Sequence, residues 1–142
     1  MAFNVLIVDD SSVMRSVLKK TVQMCGFNIG ELLEAGDGVE ALEVLKQNWV
    51  DLVLTDYNMP RMDGLQLIEE MKKDEVLARI PVVVVTTEGS EKKAKTFLEK
   101  GASGYLQKPF TPEQLRIKLN RVMGEPDEED GRIEESDEGL DF

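Results

Sequence analysis

The chain has 142 residues, of which 42% are hydrophobic and 32% are charged, a composition typical of one globular domain. Its net charge of -11 argues against nucleic acid as a partner, because an acidic chain repels the phosphate backbone. The lack of histidine excludes His-based triads and His metal sites, and the single cysteine, Cys25, excludes an internal disulfide. No apolar run is long enough to cross a membrane, and no basic segment precedes the first apolar run. We therefore expect a protein of the reducing cytoplasm that has no membrane partner.

Short β-branched apolar runs predict the strands. The runs at 5–8, 52–54 and 82–85 do not alternate with polar residues, as is typical of strands that are buried on both faces of a parallel sheet. Weaker candidates lie at 31–35 and 105–107. The single tryptophan, Trp49, lies near the start of the third strand and is expected to be partly buried.

Helical periodicity fills the intervals between these strands. The first helix is predicted to bury one face and to end near Gly26; the face is formed by Val13, Val17, Leu18, Val22 and Cys25. The second helix begins with a possible capping box, Asp37 and Glu40, and the fifth begins at Thr111-Pro112. Apolar positions at 65–71 and 94–98 mark the third and fourth. Five β-α units in succession predict a doubly wound parallel sheet with right-handed crossovers.

Four of the predicted strands lead into chemically distinctive side chains. In chain order these are Asp9 and Asp10, Asp56, Thr86 and Thr87, and Lys108. Because the carboxyl ends of parallel strands share one edge of the sheet, the side chains should meet there. Three carboxylates repel one another, and Mg²⁺, which prefers oxygen ligands, would relieve that repulsion. A carboxylate beside such a cation can attack a phosphoryl group and form an aspartyl phosphate.

Each of these residues also has a simpler interpretation. Asp10 or Ser11 can cap the first helix, and Lys108 can be a solvated surface lysine. Four such explanations would have to hold at four successive strand ends, so the pattern favours a site.

Several ordered motifs resemble those of response-regulator receiver domains. They are Val8-Asp9-Asp10-Ser11, Glu34-Ala35-Gly36-Asp37-Gly38, Thr55-Asp56-Tyr57-Asn58-Met59-Pro60, Val85-Thr86, and Gly101-Ala102-Ser103-Gly104-Tyr105 followed by Lys108-Pro109-Phe110. The resemblance covers roughly residues 3–123 and is strongest to the single-domain receivers of chemotaxis. It implies a flavodoxin-like (βα)5 fold of the α/β class, whose five parallel strands lie in the order 2-1-3-4-5.

The resemblance also implies how the site works. Asp56 would be the phosphoacceptor. Asp10 and Asp56 would bind Mg²⁺ directly, together with the backbone carbonyl of Asn58, and Asp9 would act through a water molecule. Lys108 would pair with the phosphoryl oxygens, and its bond to Pro109 would be cis.

A second group of residues would carry the response. Thr86 would move toward the phosphoryl group, and Tyr105 would move from an exposed to a buried position with it. Asn58, Thr87 and Glu88 would tune dephosphorylation. The residue after the acceptor is Tyr57, where the chemotaxis receivers have tryptophan.

Charge divides the chain into two predicted parts, a receiver domain at 1–124 and an acidic tail at 125–142. The tail has a net charge of -9 and is expected to be disordered, whereas residues 89–123 carry +5. The tail either keeps the protein soluble or docks on that basic region through Ile133, Leu140 and Phe142.

Too few residues follow the receiver for a DNA-binding module, so the output should be protein binding.

The predicted function is that of a monomeric single-domain response regulator. It would act as a phosphoacceptor switch that slowly removes its own phosphoryl group, and not as an enzyme. Its phosphodonor would be a histidine kinase, and its fourth helix, fifth strand and fifth helix would bind a partner such as a flagellar motor switch component. Two alternatives stay open: a receiver in a phosphorelay outside chemotaxis, and a Mg²⁺-dependent phosphohydrolase with an aspartate nucleophile. A G-x-G-x-x-A match at 36–41 is better explained as a turn than as a dinucleotide site.

Overall fold

Strands and helices alternate through the described part of the chain, which in the computed structural model comprises residues 2–87 and 91–123. The elements are β1 (Phe3–Val8), α1 (Ser12–Gln23), β2 (Ile29–Ala35), α2 (Gly38–Gln47), β3 (Leu52–Asp56), α3 (Gly64–Lys72), β4 (Val82–Thr86), α4 (Glu91–Glu99), β5 (Gly104–Gln107) and α5 (Pro112–Met123). A short 3-10 turn at Leu77–Arg79 precedes β4 and was not predicted. All strand pairs are parallel, in the order β2-β1-β3-β4-β5. The predicted flavodoxin-like, doubly wound fold is confirmed.

The central strands separate two apolar cores. On β1, Val5 and Ile7 face one core, which α1 and α5 complete, whereas Leu6 and Val8 face the other, which α2, α3 and α4 complete. Both faces of β1, β3 and β4 are thus covered, which explains why these strands are apolar at successive positions.

The buried face of α1 differs from the predicted one. Leu18, Val22 and Cys25 are buried as expected, but Val13 and Val17 are 73% and 50% exposed. The face that packs on the sheet continues instead to Met14. Val13 and Val17 each lie one residue before Met14 and Leu18, which rotates them about 100° around the helix and out of the core.

Two further local predictions need correction. Trp49 is 78% exposed, because it precedes β3 in a surface loop where its indole N–H donates to Asp51 Oδ1 at 3.1 Å. Asp37 caps α2 by accepting from the Glu40 N–H, but the Glu40 carboxylate accepts from Gly36 N–H instead of closing a capping box. A complete capping box joins Thr111 and Gln114 at the start of α5.

Two predictions concern residues outside the described ranges, namely the tuning role of Glu88 and the nature of the 125–142 tail. Among the helices of the described ranges, none has the length and apolar character that a membrane crossing requires.

Candidate functional site

Three carboxylates meet at the carboxyl edge of the sheet. Asp9 and Asp10 follow β1, and Asp56 is the last residue of β3. One carboxylate oxygen from each lies within 4.8 Å of the others. Asp9 is buried, the Asp56 side chain is 16% exposed and Asp10 is exposed. Such a cluster of hard oxygen donors, open to solvent on one side, fits Mg²⁺, which binds a few carboxylates and keeps several waters.

The turn after β1 holds Asp9 in place. Its Oδ1 accepts from the Ser11 N–H at 2.9 Å, and its backbone carbonyl accepts from the Arg15 guanidinium. Ser11 is the N-cap of α1, because its hydroxyl accepts from the Met14 N–H at 3.1 Å. The capping interpretation therefore applies to Ser11, and Asp10 stands at the edge of the carboxylate cluster.

Lys108 follows β5, which lies two strands away from β3 in the sheet, and its side chain reaches the carboxylate cluster. Its Nζ lies 3.4 Å from Asp9 Oδ2 and 3.5 Å from Asp56 Oδ1, and its side chain is only 13% exposed. The Lys108-Pro109 peptide bond is cis, and the Lys108 N–H donates to the Thr86 carbonyl at 2.7 Å. The interpretation of Lys108 as a solvated surface lysine is thereby wrong. One ammonium among three carboxylates leaves a surplus of negative charge that a divalent cation would balance.

The environment of Asp56 disfavours its charged form. Burial raises the pKa of the Asp56 carboxyl above its usual value, the Lys108 ammonium opposes this rise, and the Asp9 carboxylate adds to it. The Tyr57 N–H donates to Asp56 Oδ1 at 2.9 Å and so fixes that oxygen. The same oxygen lies 3.5 Å from Lys108 Nζ, so Oδ1 is held between a backbone N–H and an ammonium.

The backbone around Asp56 is held on two sides. The Thr55 hydroxyl donates to the Asp56 carbonyl at 2.9 Å, and the Gly64 N–H donates to the Tyr57 carbonyl at 2.8 Å. A Cβ at Gly64 would lie 2.6 Å from the Asp56 carbonyl oxygen. Only glycine allows α3 to begin so close to the end of β3.

The remaining predicted site residues occupy different depths. Thr86 ends β4 at the same edge and is buried, whereas Thr87 after it is exposed. Asn58 lies in the exposed turn two residues after Asp56. Tyr105 lies on β5 and is half-buried, packed against the core.

An aromatic cluster connects the site with the α4–β5 surface, and the sequence patterns did not predict it. The buried Phe97 ring lies 5.2 Å from the Tyr57 ring and 6.1 Å from the Tyr105 ring, measured between centroids. Lys93 Nζ lies 4.8 Å from the centroid of Tyr57. The only sequence signal was the unusual Tyr57 beside the acceptor position.

Comparison with known proteins agrees with this geometry. The profile of the response regulator receiver domain matches residues 5–120. The chemotaxis protein CheY1 of Helicobacter pylori is 42% identical over 123 residues, which cover 86% of this chain and 98% of that protein. The solved structure of the chemotaxis protein CheY4 of Vibrio cholerae has a TM-score of 0.76 at 35% identity, over 86% of this chain and 99% of that one.

A third relative carries a metal. It is the receiver domain of a sensor histidine kinase of Pseudomonas aeruginosa, with a magnesium ion coordinated in the active site cleft. Its TM-score is 0.75 at 25% identity, over 87% of this chain and 99% of that one.

Proposed function

Because the chain belongs to the response-regulator receiver family and is homologous to chemotaxis response regulators, we propose that Asp56 accepts a phosphoryl group from a histidine kinase. One observation carries the assignment: Asp9 and Asp56 both contact Lys108, at 3.4 and 3.5 Å, but the Asp9 side chain is 3% exposed whereas that of Asp56 is 16% exposed and so is open to a phosphodonor. Receiver domains of this kind take their phosphoryl groups from histidine kinases. The Lys108 ammonium beside Asp56 reduces the repulsion between the Asp56 carboxylate and the negatively charged phosphoryl group that it attacks.

We assign the metal ligands to the same cluster. Asp10 and Asp56 would hold Mg²⁺ together with the backbone carbonyl of Asn58, and Asp9 would act through a bound water. The oxygen donor set and its surplus negative charge support this, as does the magnesium in the cleft of the Pseudomonas receiver. When bound, Mg²⁺ neutralises charge on the phosphoryl oxygens.

The transfer needs little beyond positioning. A carboxylate oxygen of Asp56 attacks phosphorus, the bond from phosphorus to the donor imidazole nitrogen breaks, and that nitrogen keeps the electron pair. Lys108, which faces both Asp9 and Asp56, compensates the negative charge that arrives with the phosphoryl group. Water later hydrolyses the acyl phosphate, which releases inorganic phosphate and restores the carboxylate. The protein is thus a slowly self-resetting switch and not a turnover enzyme.

The response is a change of the surface formed by α4, β5 and α5. Thr86 moves toward the phosphoryl group, and Tyr105 becomes more buried as the space behind Thr86 changes. This surface then binds a downstream protein, such as a flagellar motor switch component. Asn58, Thr87 and Glu88 tune how long the phosphoryl group persists.

The remaining parts of the proposal concern organisation. The receiver comprises residues 1–124, and 125–142 are an acidic tail. The protein acts as a monomer in the cytoplasm, and its output is protein binding rather than nucleic-acid binding.

Intact-mass measurement with acetyl phosphate and Mg²⁺ tests the central assignment. We expect one added phosphoryl group on the wild type, lost over time and prevented by EDTA, and none on Asp56→Asn. Asp10→Asn keeps the acceptor and weakens the metal site, so its adduct should form only at higher Mg²⁺ concentrations. An adduct on Asp56→Asn would refute the role of Asp56.

Turnover separates the proposal from the phosphohydrolase alternative. With many equivalents of acetyl phosphate, a switch releases phosphate at a rate limited by slow hydrolysis of its own adduct. Rapid, sustained release without an accumulating adduct would favour the enzyme.

A further inference from the structure

A groove of about 220 Å³ runs between α4, β5 and α5, at the sheet edge formed by β5. Leu98 and Val122 supply apolar lining, Tyr105 also lines the groove, and Lys118 and Arg121 supply positive charge. Leu98 is 50% exposed, so part of this apolar lining faces solvent. Among the described residues that line the groove there is no acid.

Burial and the neighbouring Arg121 disfavour the charged form of Lys118 in the groove. Burial lowers the pKa of the Lys118 ammonium, and the Arg121 guanidinium lowers it further. The Lys118 side chain lies over β5 because Gly104 has no Cβ; one added there would come within 3.3 Å of Lys118 Cδ and 3.2 Å of Val122 Cγ2. The groove therefore holds a half-buried positive charge that a carboxylate would stabilise.

We propose that this groove binds the acidic segment 125–142 of the same chain. The segment carries ten acids and one base, with Ile133, Leu140 and Phe142 set among the acids. Acidic side chains pair with Lys118 and Arg121, while an apolar side chain covers the exposed wall at Leu98.

The chain connectivity favours this occupant over a separate peptide. Val122 lines the groove and α5 ends at Met123, so the described chain ends beside the groove, two residues before the segment in sequence. At about 3.3 Å per extended residue, even five residues reach roughly 17 Å, enough to cross it. A short tether gives an effective concentration in the millimolar range, so an interaction too weak to detect between separate molecules is populated within one chain.

Docking of the segment would keep the α4–β5–α5 surface partly covered. The regulatory consequence rests on the proposed function: a downstream partner must displace the segment, and Tyr105, which lines the groove, would couple phosphorylation to that displacement. The docking itself needs neither Mg²⁺ nor a phosphodonor, so it can be tested apart from phosphoryl transfer.

Paramagnetic broadening in the full-length chain tests the docking. A spin label is attached to Leu140→Cys; the native Cys25 is buried and burial raises its thiol pKa, so labelling is selective. At low salt we expect the amide signals of Leu98 and Tyr105 to broaden. Glu31, on the edge strand β2 at the opposite side of the sheet, should be unaffected.

Charge variants and salt supply the controls. Lys118→Gln with Arg121→Gln should reduce the broadening about twofold or more, if the tethered segment occupies the groove about half of the time. Lys20→Gln with Lys46→Gln removes the same charge from exposed sites on other helices and should leave it unchanged. Salt at about 0.5 M should weaken it, because screening shortens the reach of the charges.

Three outcomes would overturn the proposal. These are equal broadening at both sheet edges, broadening insensitive to Lys118→Gln with Arg121→Gln, and broadening that appears on isotope-labelled chains only when separate spin-labelled chains are mixed in. The last would mean that the segment binds a second copy.

Discussion

Gly64→Ala tests how tightly the start of α3 is pressed against the end of β3. Gly64 has no left-handed φ, so alanine fits its backbone conformation. The obstacle is space, because the new Cβ would lie 2.6 Å from the Asp56 carbonyl oxygen and 3.2 Å from Tyr57 Cα. Both are backbone atoms, which cannot rotate away as a side chain can.

The cost follows from the displacement that is required. Moving the Cβ from 2.6 Å to an ordinary contact of 3.4 Å shifts α3 by about 0.8 Å from the strand end. Overpacking of this kind costs about 1–3 kcal/mol, and weakening the Gly64 N–H bond to the Tyr57 carbonyl adds about 1 kcal/mol. Alanine offsets about 0.4–1 kcal/mol of this by restricting the unfolded chain, so we expect a net loss of about 1–3.5 kcal/mol.

Urea denaturation followed by far-UV circular dichroism measures this loss, since the exposed Trp49 is a poor reporter of folding. Gly36→Ala is the matched control at the same sheet edge. Its Cβ would meet only side-chain atoms, Glu40 Oε1 at 3.1 Å and Arg15 Nη1 at 3.7 Å, which can shift, so it should change stability by less than about 1 kcal/mol. If Gly64→Ala is as stable as the wild type, or Gly36→Ala loses as much, the steric argument is refuted.

Three other measurements probe the metal site, the core and the surface. At 100 times its dissociation constant Mg²⁺ should stabilise the wild type by about 2.7 kcal/mol, and a tenfold weaker Asp10→Asn site should halve this gain in thermal unfolding. Phe97→Ala should cost about 3–5 kcal/mol in urea titrations, because the ring is fully buried; a loss below 1 kcal/mol would contradict its core role. Hydrogen bonds from Lys19 and Arg15 lower the pKa of Glu34, so their stabilisation exists above the usual glutamate pKa and disappears as pH falls through the lowered value. The stability gap to Glu34→Gln should therefore be below about 1 kcal/mol at neutral pH and should close in acid; a gap independent of pH would contradict the pairing.

The sheet was predictable because strands that are buried on both faces are apolar at successive positions, which is visible in the sequence. A strand such as β4, Val82–Thr86, is covered by helices on each side and has no position for a polar residue before its end. The shared edge of the strand ends follows from parallel pairing alone, so Asp9, Asp56 and Lys108 could be placed together before any distance was known.

Exposed apolar residues have no comparable signal in the sequence. Val13 and Trp49 are exposed, and a folded protein tolerates single exposed apolar side chains at little cost, so composition alone does not reveal them. The aromatic cluster around Phe97 also escaped prediction. Its members come from β5, α4 and the turn after β3, and only the packing of α4 on the sheet brings them together.

The contact between Lys108 and Asp9 spans 99 positions of the chain, from the turn after β1 to the turn after β5. It also depends on β5, a four-residue strand that pairs only with β4. If this edge strand frays, the ammonium leaves and two carboxylates face each other without compensation, even though most of the domain is still folded. The site can therefore react only when β5 is paired with β4. Amide hydrogen exchange in β5 reports how often an otherwise folded molecule is unable to react.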